Sequence, residues 1–185
     1  MQNKQNLVWM DLEMTGLLPD KDTIIEIATI ITDSHLNVIK EGPCLVVHQS
    51  QARMEKMDEW NTQHHGESGL TQRVLKSKLT MRDVEDITLK FIQQYVPAQT
   101  SPLCGNSICQ DRQFIYRYMP KIDQYLHYRH IDVSTLKELS YRWTNNRLKK
   151  FEKSNKHRAL DDIYESIAEL RHYRTYLFKD FSSIT

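Results

Sequence analysis

Two acids, Asp11 and Glu13, close the apolar run Val8-Trp9-Met10-Asp11-Leu12-Glu13-Met14, which feeds directly into the turn Thr15-Gly16-Leu17. The run has the length and composition of a buried strand, and a strand points residues two apart to the same face. The two carboxylates therefore stand side by side at a strand end. Burying them unpaired is costly, and like charges at that spacing repel. No Lys or Arg occurs from residue 5 to residue 20. The cheapest relief is one or two hard divalent cations held by oxygen ligands. A solvated edge strand with both acids facing water is the competing reading, and this stretch alone does not separate the two.

The rest of the chain bounds what can surround this strand. At 185 residues, one domain is expected over 1–185, with an ordered core over about 6–178. The net charge is +1, which implies no long electrostatic track for polymeric nucleic acid and favours a short substrate or a local site. Cys44, Cys104 and Cys109 are odd in number and form no Cys-x-x-Cys pair. A disulfide frame or zinc knuckle is therefore not expected, and a reducing, cytoplasmic setting is. Residues Met1 to Asn6 are polar with no apolar signal core, and no apolar run approaches a membrane span.

Taken in order, Leu7 to Glu13 is the first strand, and Thr15 to Asp20 is a turn region broken by Gly16 and Pro19. Ile24 to Ile31 is apolar and β-branched, which predicts a second strand. Val38 to His48 predicts a third, interrupted near Gly42-Pro43, so a three-strand antiparallel meander is expected. The pattern then turns helical over 54–65 and 70–78. Thr80 to Asp83 reads as a capping box opening a helix with the stripe Val84, Ile87, Phe91 and Tyr95. Ser101 to Gly105 is a short strand, Cys109 to Met119 a helix closed by Pro120, and His130 to Val133 a last strand. A helix over 134–143 with Ser134 as its N-cap, a polar loop over 144–155 and a long helix over 158–177 complete the chain.

Two further segments carry candidate chemistry. Asp111 follows the turn pair Gly105-Asn106 and falls in the first turns of the next helix. An acid there also complements the helix dipole, so Asp111 alone admits both readings. His157-Arg158-Ala159-Leu160-Asp161-Asp162 opens the last helix. Five helical residues rotate about 500°, leaving His157 and Asp162 about 140° apart and not adjacent ligands on one face. His157 fits the lip of a site that Asp162 lines, where an imidazole titrating near neutrality suits a general base. A histidine beside dipole-favoured acids accounts for the same residues.

Together, Asp11-x-Glu13, Asp111 after Gly-Asn, and His157 with Asp162 resemble the three motifs of the DEDD exonucleases, in the branch that carries a histidine. Trp9 to Leu17, Glu41-Gly42-Pro43, Cys104-Gly105-Asn106-Ser107 and Asp132 to Leu139 resemble the oligoribonuclease family within that branch. The likeness runs over about residues 6–178, and the Lys- and Asn-rich loop 145–156 is its one visible departure.

The resemblance implies an α/β, ribonuclease-H-like fold with a mixed five-stranded sheet flanked by helices, in a cytoplasmic homodimer. It implies a 3′–5′ exoribonuclease that releases 5′-mononucleotides from very short single-stranded RNA, above all dinucleotides, including linear products of cyclic-dinucleotide signalling. Asp11 would bridge two metals, Glu13 and Asp162 complete the water-activating site, Asp111 hold the second metal directly or through water, and His157 take the proton. The motif spacing assigns the ligand role to Asp162 rather than Asp161. Mg²⁺ or Mn²⁺ suits an all-carboxylate site, whereas zinc prefers His or Cys.

For the substrate, the resemblance implies that Leu17 wedges against the bases and Trp60 stacks on them. Tyr128 of the partner subunit closes the cleft. Ser107, Ser134, Lys137 and Arg129 of the partner subunit grip a 5′-phosphate. Stacking on aromatics contributes about 1–3 kcal/mol per base. Without the resemblance, Leu17, Trp60 and Tyr128 read as ordinary packing. The pairs His64-His65 and His127 with His130 complete no zinc spacing. The competing functions are a related exonuclease trimming or proofreading longer RNA or DNA 3′ ends, a nucleotide-binding module without catalysis, and a helical interaction protein.

Overall fold

The computed structural model describes residues 1–145, 151 and 158–178. Its centre is a mixed six-stranded sheet. β1 (Leu7–Met14) pairs antiparallel with β2 (Ile24–Thr32), and β2 pairs antiparallel with β3 (Val38–Glu41). The expected third strand splits at Gly42-Pro43, because proline has no N–H for the ladder. The chain resumes as β4 (Leu45–Val46), a separate pairing on β2, so the sheet has six strands rather than five. On its other side β1 pairs parallel with β5 (Leu103–Gly105), and β5 pairs parallel with β6 (His130–Asp132). β1 therefore lies inside the sheet, which overturns the edge-strand reading of Asp11 and Glu13.

Eight helices are described. The expected helix over 54–65 is two, α1 (Gln51–Met54) and α2 (Glu59–Glu67), because Asp58 starts a new cap by accepting from the Asn61 N–H. α3 (Leu70–Lys76) follows, then α4 (Met81–Gln93), whose Thr80–Asp83 capping box forms as predicted. Ile87 is 38% exposed and leaves the predicted stripe. It sits about 60° round the helix from Val84, at the rim, while Thr88 and Ile92 turn inward with Val84 and Phe91. α5 (Ile108–Tyr118) does stop before Pro120, but that proline opens a further helix, α6 (Pro120–Tyr125), from its first position. α7 (Val133–Trp143) and α8 (Ala159–Leu177) complete the fold. No helix among the described residues is long and apolar enough to cross a membrane.

The period-two alternation of β1 decides where the site sits. Val8, Met10 and Leu12 enter the core shared with α4, α5 and α6. Trp9 enters the other core with Ala28, Ile30, Ala159, Ile163 and Ile167. Asp11 and Glu13 continue the Trp9 face, so they point to the side that α8 covers. Gly105 allows β5 to lie close to β1: a Cβ there would stand 2.7 Å from Ile108 Cδ1 and 3.1 Å from the Met10 carbonyl.

Candidate active site

α8 carries Ala159, Ile163 and Ile167 on one face, and this face packs over Trp9, Ala28 and Ile30. Asp162 lies beside Ile163 in the first turn, and so projects toward the C-terminal end of β1. One carboxylate oxygen each from Asp11, Glu13 and Asp162 lies within 4.8 Å of the others. Asp161, its neighbour, instead lines a cleft of about 520 Å³ with Glu26, Cys44, Arg73 and Arg158. A fully buried aliphatic side chain is worth roughly 1.5–3 kcal/mol. Ile163 and Ile167 are both buried, so apolar packing holds Asp162 against the repulsion of the acids it faces.

Asp111 is buried on α5 and stands outside that three-oxygen set. Its Oδ1 accepts the N–H of Leu12 at 3.0 Å, the residue between the two β1 acids. Its charge is still the strongest electrostatic influence on Asp11. Burial first, and then Asp111, Glu13, Asp162 and Glu26, hold the Asp11 carboxyl well above its ordinary range. Burial and then Asp162 push Glu13 up to about 8. Burial pushes Asp111 up to about 7 against the Leu12 hydrogen bond.

These shifts have one physical meaning: the folded chain resists carrying all its site charges unaided. A divalent ion with bonds of about 2.0–2.6 Å spans roughly 4.0–5.2 Å between opposite oxygens. The 4.8 Å cluster fits such an ion, and its all-carboxylate donor set suits a hard cation. The pH dependence follows. Between about pH 4.5 and 8 the folded metal-free chain keeps a proton on Glu13 that the unfolded chain releases. Stability of the metal-free protein therefore falls as pH rises through that window. The melting-temperature rise produced by Mg²⁺ or Mn²⁺ is expected to be larger near pH 8.5 than near pH 5.5. A rise of equal size at both would remove these acids as the binding site.

Two neighbours were not read from the sequence. Glu26 faces Glu13 across the β1–β2 ladder and is 2% exposed. Arg73 reaches from α3 to form an ion pair with it. The cation missing near β1 in the sequence is thus partly supplied from 60 residues away, and Arg73 pulls the Glu13 carboxyl down. Alternation marks Glu26 as a same-face residue, but only the register makes it opposite Glu13. His65, set aside with His64 in the sequence, is buried with Nε2 on the Met14 carbonyl at 3.0 Å, bracing the turn after Glu13.

The other sequence candidates fall in three groups. Leu17 is 66% exposed and Trp60 65% exposed, which removes the core-packing reading of both. Gln110 Nε2 donates to the Leu17 carbonyl at 2.6 Å, and Trp60 stacks on His64 with centroids 4.7 Å apart. Tyr128 and Arg129 are exposed on the connection between α6 and β6, where the Arg129 Nε donates to the Tyr128 hydroxyl at 3.2 Å. Ser107 and Ser134 meet with their hydroxyls 3.1 Å apart, and Lys137 is exposed one turn along α7. The expected Ser134 cap is corrected: Asp132 caps α7 by accepting from the Ser134 N–H at 2.9 Å, since the acid two residues earlier is the stronger acceptor. His157 lies outside the described residues, as does all of loop 145–156 except Asn145 and Phe151.

A central strand thus ends in two acids, and the helix packed over it returns a third to within 4.8 Å. The family model described as Exonuclease matches residues 8–170. Oligoribonuclease of Pseudomonas aeruginosa is 60% identical over 97% of this chain and 99% of its own. Oligoribonuclease of Pseudomonas syringae pv. tomato is 63% identical over the same shares. The chain belongs to the exonuclease family and, within it, to the oligoribonucleases. Solved exonuclease I structures share the fold. One with bound product has a TM-score of 0.71 at 17% identity, covering 95% of this chain and 44% of its own. Escherichia coli exonuclease I with a dT13 oligonucleotide has a TM-score of 0.71 at 18% identity, covering 92% of this chain. This chain spans about 41% of that protein's length.

Proposed function

We propose that the protein is a 3′–5′ exoribonuclease that cuts very short RNA, dinucleotides above all, into 5′-mononucleotides, as a cytoplasmic homodimer whose residues 1–185 form one exonuclease domain with its core over about 6–178. The observation that carries this reading is the meeting of Asp11, Glu13 and Asp162 within 4.8 Å, in a chain of the oligoribonuclease family. Asp11, Glu13 and Asp162, with Asp111 beside them, would hold two Mg²⁺ or Mn²⁺ ions. Bound there, the ions would stabilise charge on the attacking and leaving oxygens of the phosphodiester.

The chain's own groups do the rest. His157, immediately before the N-cap residue of α8, takes the proton of the attacking water. Leu17 and Trp60 offer exposed apolar surface, suited to the flat face of a base. The partner subunit's Tyr128 closes the cleft over the second base. Ser107, Ser134 and Lys137, with the partner subunit's Arg129, receive the 5′-phosphate, Arg through its planar fork. A cleft closed at that end favours two nucleotides over twenty.

The test uses 5′-labelled RNA of two, five and twenty nucleotides, and DNA of matching lengths, with Mg²⁺, Mn²⁺ or EDTA. Cleavage is expected only with metal and fastest on the RNA dinucleotide. Faster cleavage of the twenty-nucleotide strand would replace this reading with that of an end-trimming exonuclease.

A further inference from the structure

α8 buries a second carboxylate that the reaction does not use. Glu169 is 1% exposed and lies seven residues, or about 10 Å, along the helix from Asp162. Its Oε1 accepts from the Tyr173 hydroxyl at 3.0 Å, and its Oε2 accepts from Asn106 Nδ2 at 3.1 Å. The same Asn106 nitrogen donates to Ser166 Oγ at 2.8 Å.

A carboxylate can only accept, so it determines which end of the Asn106 amide faces α8. The nitrogen must point to Glu169, and Oδ1 is left facing α7. There it accepts the Ser134 hydroxyl proton at 3.1 Å. A hydroxyl has one proton, so Ser134 then meets its neighbours only as an acceptor. It accepts the Ser107 N–H at 2.9 Å, and the Ser107 hydroxyl lies 3.1 Å away. Neither hydroxyl is spent on capping: the Ser107 side chain caps no N–H of α5, and Asp132 Oδ1 caps α7 through the Ser134 N–H at 2.9 Å while sharing the Ser107 N–H with Ser134. The Ser107 hydroxyl is therefore the one of the pair whose proton can turn to an incoming anion.

We propose that Asn106, oriented by buried Glu169, is a positioning residue that sets the donor–acceptor polarity of the Ser107–Ser134 pair and with it the preference for a 5′-phosphorylated substrate end. This rests on the reading that the serine pair receives the 5′-phosphate. Asn106 turned the other way, or removed, returns the proton to Ser134 and erases the distinction between the two serines. The relay links the packing of α8, which also carries Asp162, to recognition at the far end of a dinucleotide.

The experiment compares kcat and KM for 5′-phosphorylated and 5′-hydroxyl RNA dinucleotides, with the melting temperature recorded for each variant. One hydrogen bond to a charged group is worth roughly tenfold. Asn106→Ala is expected to lower the wild-type preference for the phosphorylated dinucleotide about tenfold, through KM. Asn106→Asp alone sets a second carboxylate against buried Glu169, and the repulsion draws residue 106 away from Ser134, so it is expected to do the same. Asn106→Asp with Glu169→Gln reverses the direction of that one bond and should restore the preference, a rescue that a merely structural role would not produce. Preference retained in Asn106→Ala, or an equal loss on both substrates with no rescue in the double variant, overturns the relay while leaving the phosphate reading intact. A wild-type enzyme indifferent to the 5′ end overturns both.

Discussion

Asp162→Asn should lower kcat at least roughly 10³-fold while raising the melting temperature of the metal-free protein near pH 8. The two effects have the same origin. Asp162 is the largest electrostatic influence on Glu13 and also pushes Asp11 up. An amide in its place removes that repulsion, so the empty cluster becomes easier to fold. It also removes an anionic oxygen from a set whose members lie within 4.8 Å, so the protein should lose most of its stabilisation by Mg²⁺ or Mn²⁺. Thermal melts with and without metal, beside dinucleotide turnover, read all three quantities. An inactive variant that still responds fully to metal would show that Asp162 acts elsewhere. One less stable without metal would show that its charge is not strained.

The second large effect is expected at the Glu26–Arg73 pair. Arg73 is 44% exposed but its partner is 2% exposed, so the cost of breaking the pair falls on Glu26. Removing one partner of such a pair leaves a buried charge unbalanced, at about 3 kcal/mol. For a chain of this size that is a melting-temperature loss of roughly 6–12 °C in Arg73→Ala. Arg73 also lowers the Glu13 carboxyl, so its removal should raise the metal concentration needed for half-maximal activity. Adding Glu26→Gln to Arg73→Ala should recover most of both losses, because an uncharged amide needs no cation. Failure of the double variant to recover would mean that Arg73 matters through packing of α3 rather than through charge.

The two predictions bear on different layers of what the sequence made legible. Asp11 and Glu13 could be read as a pair because strand geometry is local, and their shared face follows from spacing alone. The helix of Asp162 was legible for the same reason. Glu26 and Arg73 were not, because their meeting depends on a register between strands and on where a short helix lands. The split of the third strand at Gly42-Pro43 was visible as an interruption, but not as a new pairing on β2. Ser134 misled as a cap because the rule that favours it is satisfied two positions earlier by Asp132. His65 offered no signal in the sequence, since nothing local distinguishes a histidine that braces a distant carbonyl.

The order of elements, the alternation of β1 and the residue types of the acid motifs were dictated by the chain itself, since each rests on contacts between near neighbours. Which acids converge was decided by tertiary structure alone. Asp162 joins Asp11 and Glu13 because Trp9, Ala28 and Ile30 seat α8 on that face, Asp111 stays outside their oxygen set because the Leu12 N–H claims it, and Glu26 finds its counter-charge on α3. The physical reason is that charges act over ångströms in space, and only packing converts separation along a chain into separation in space.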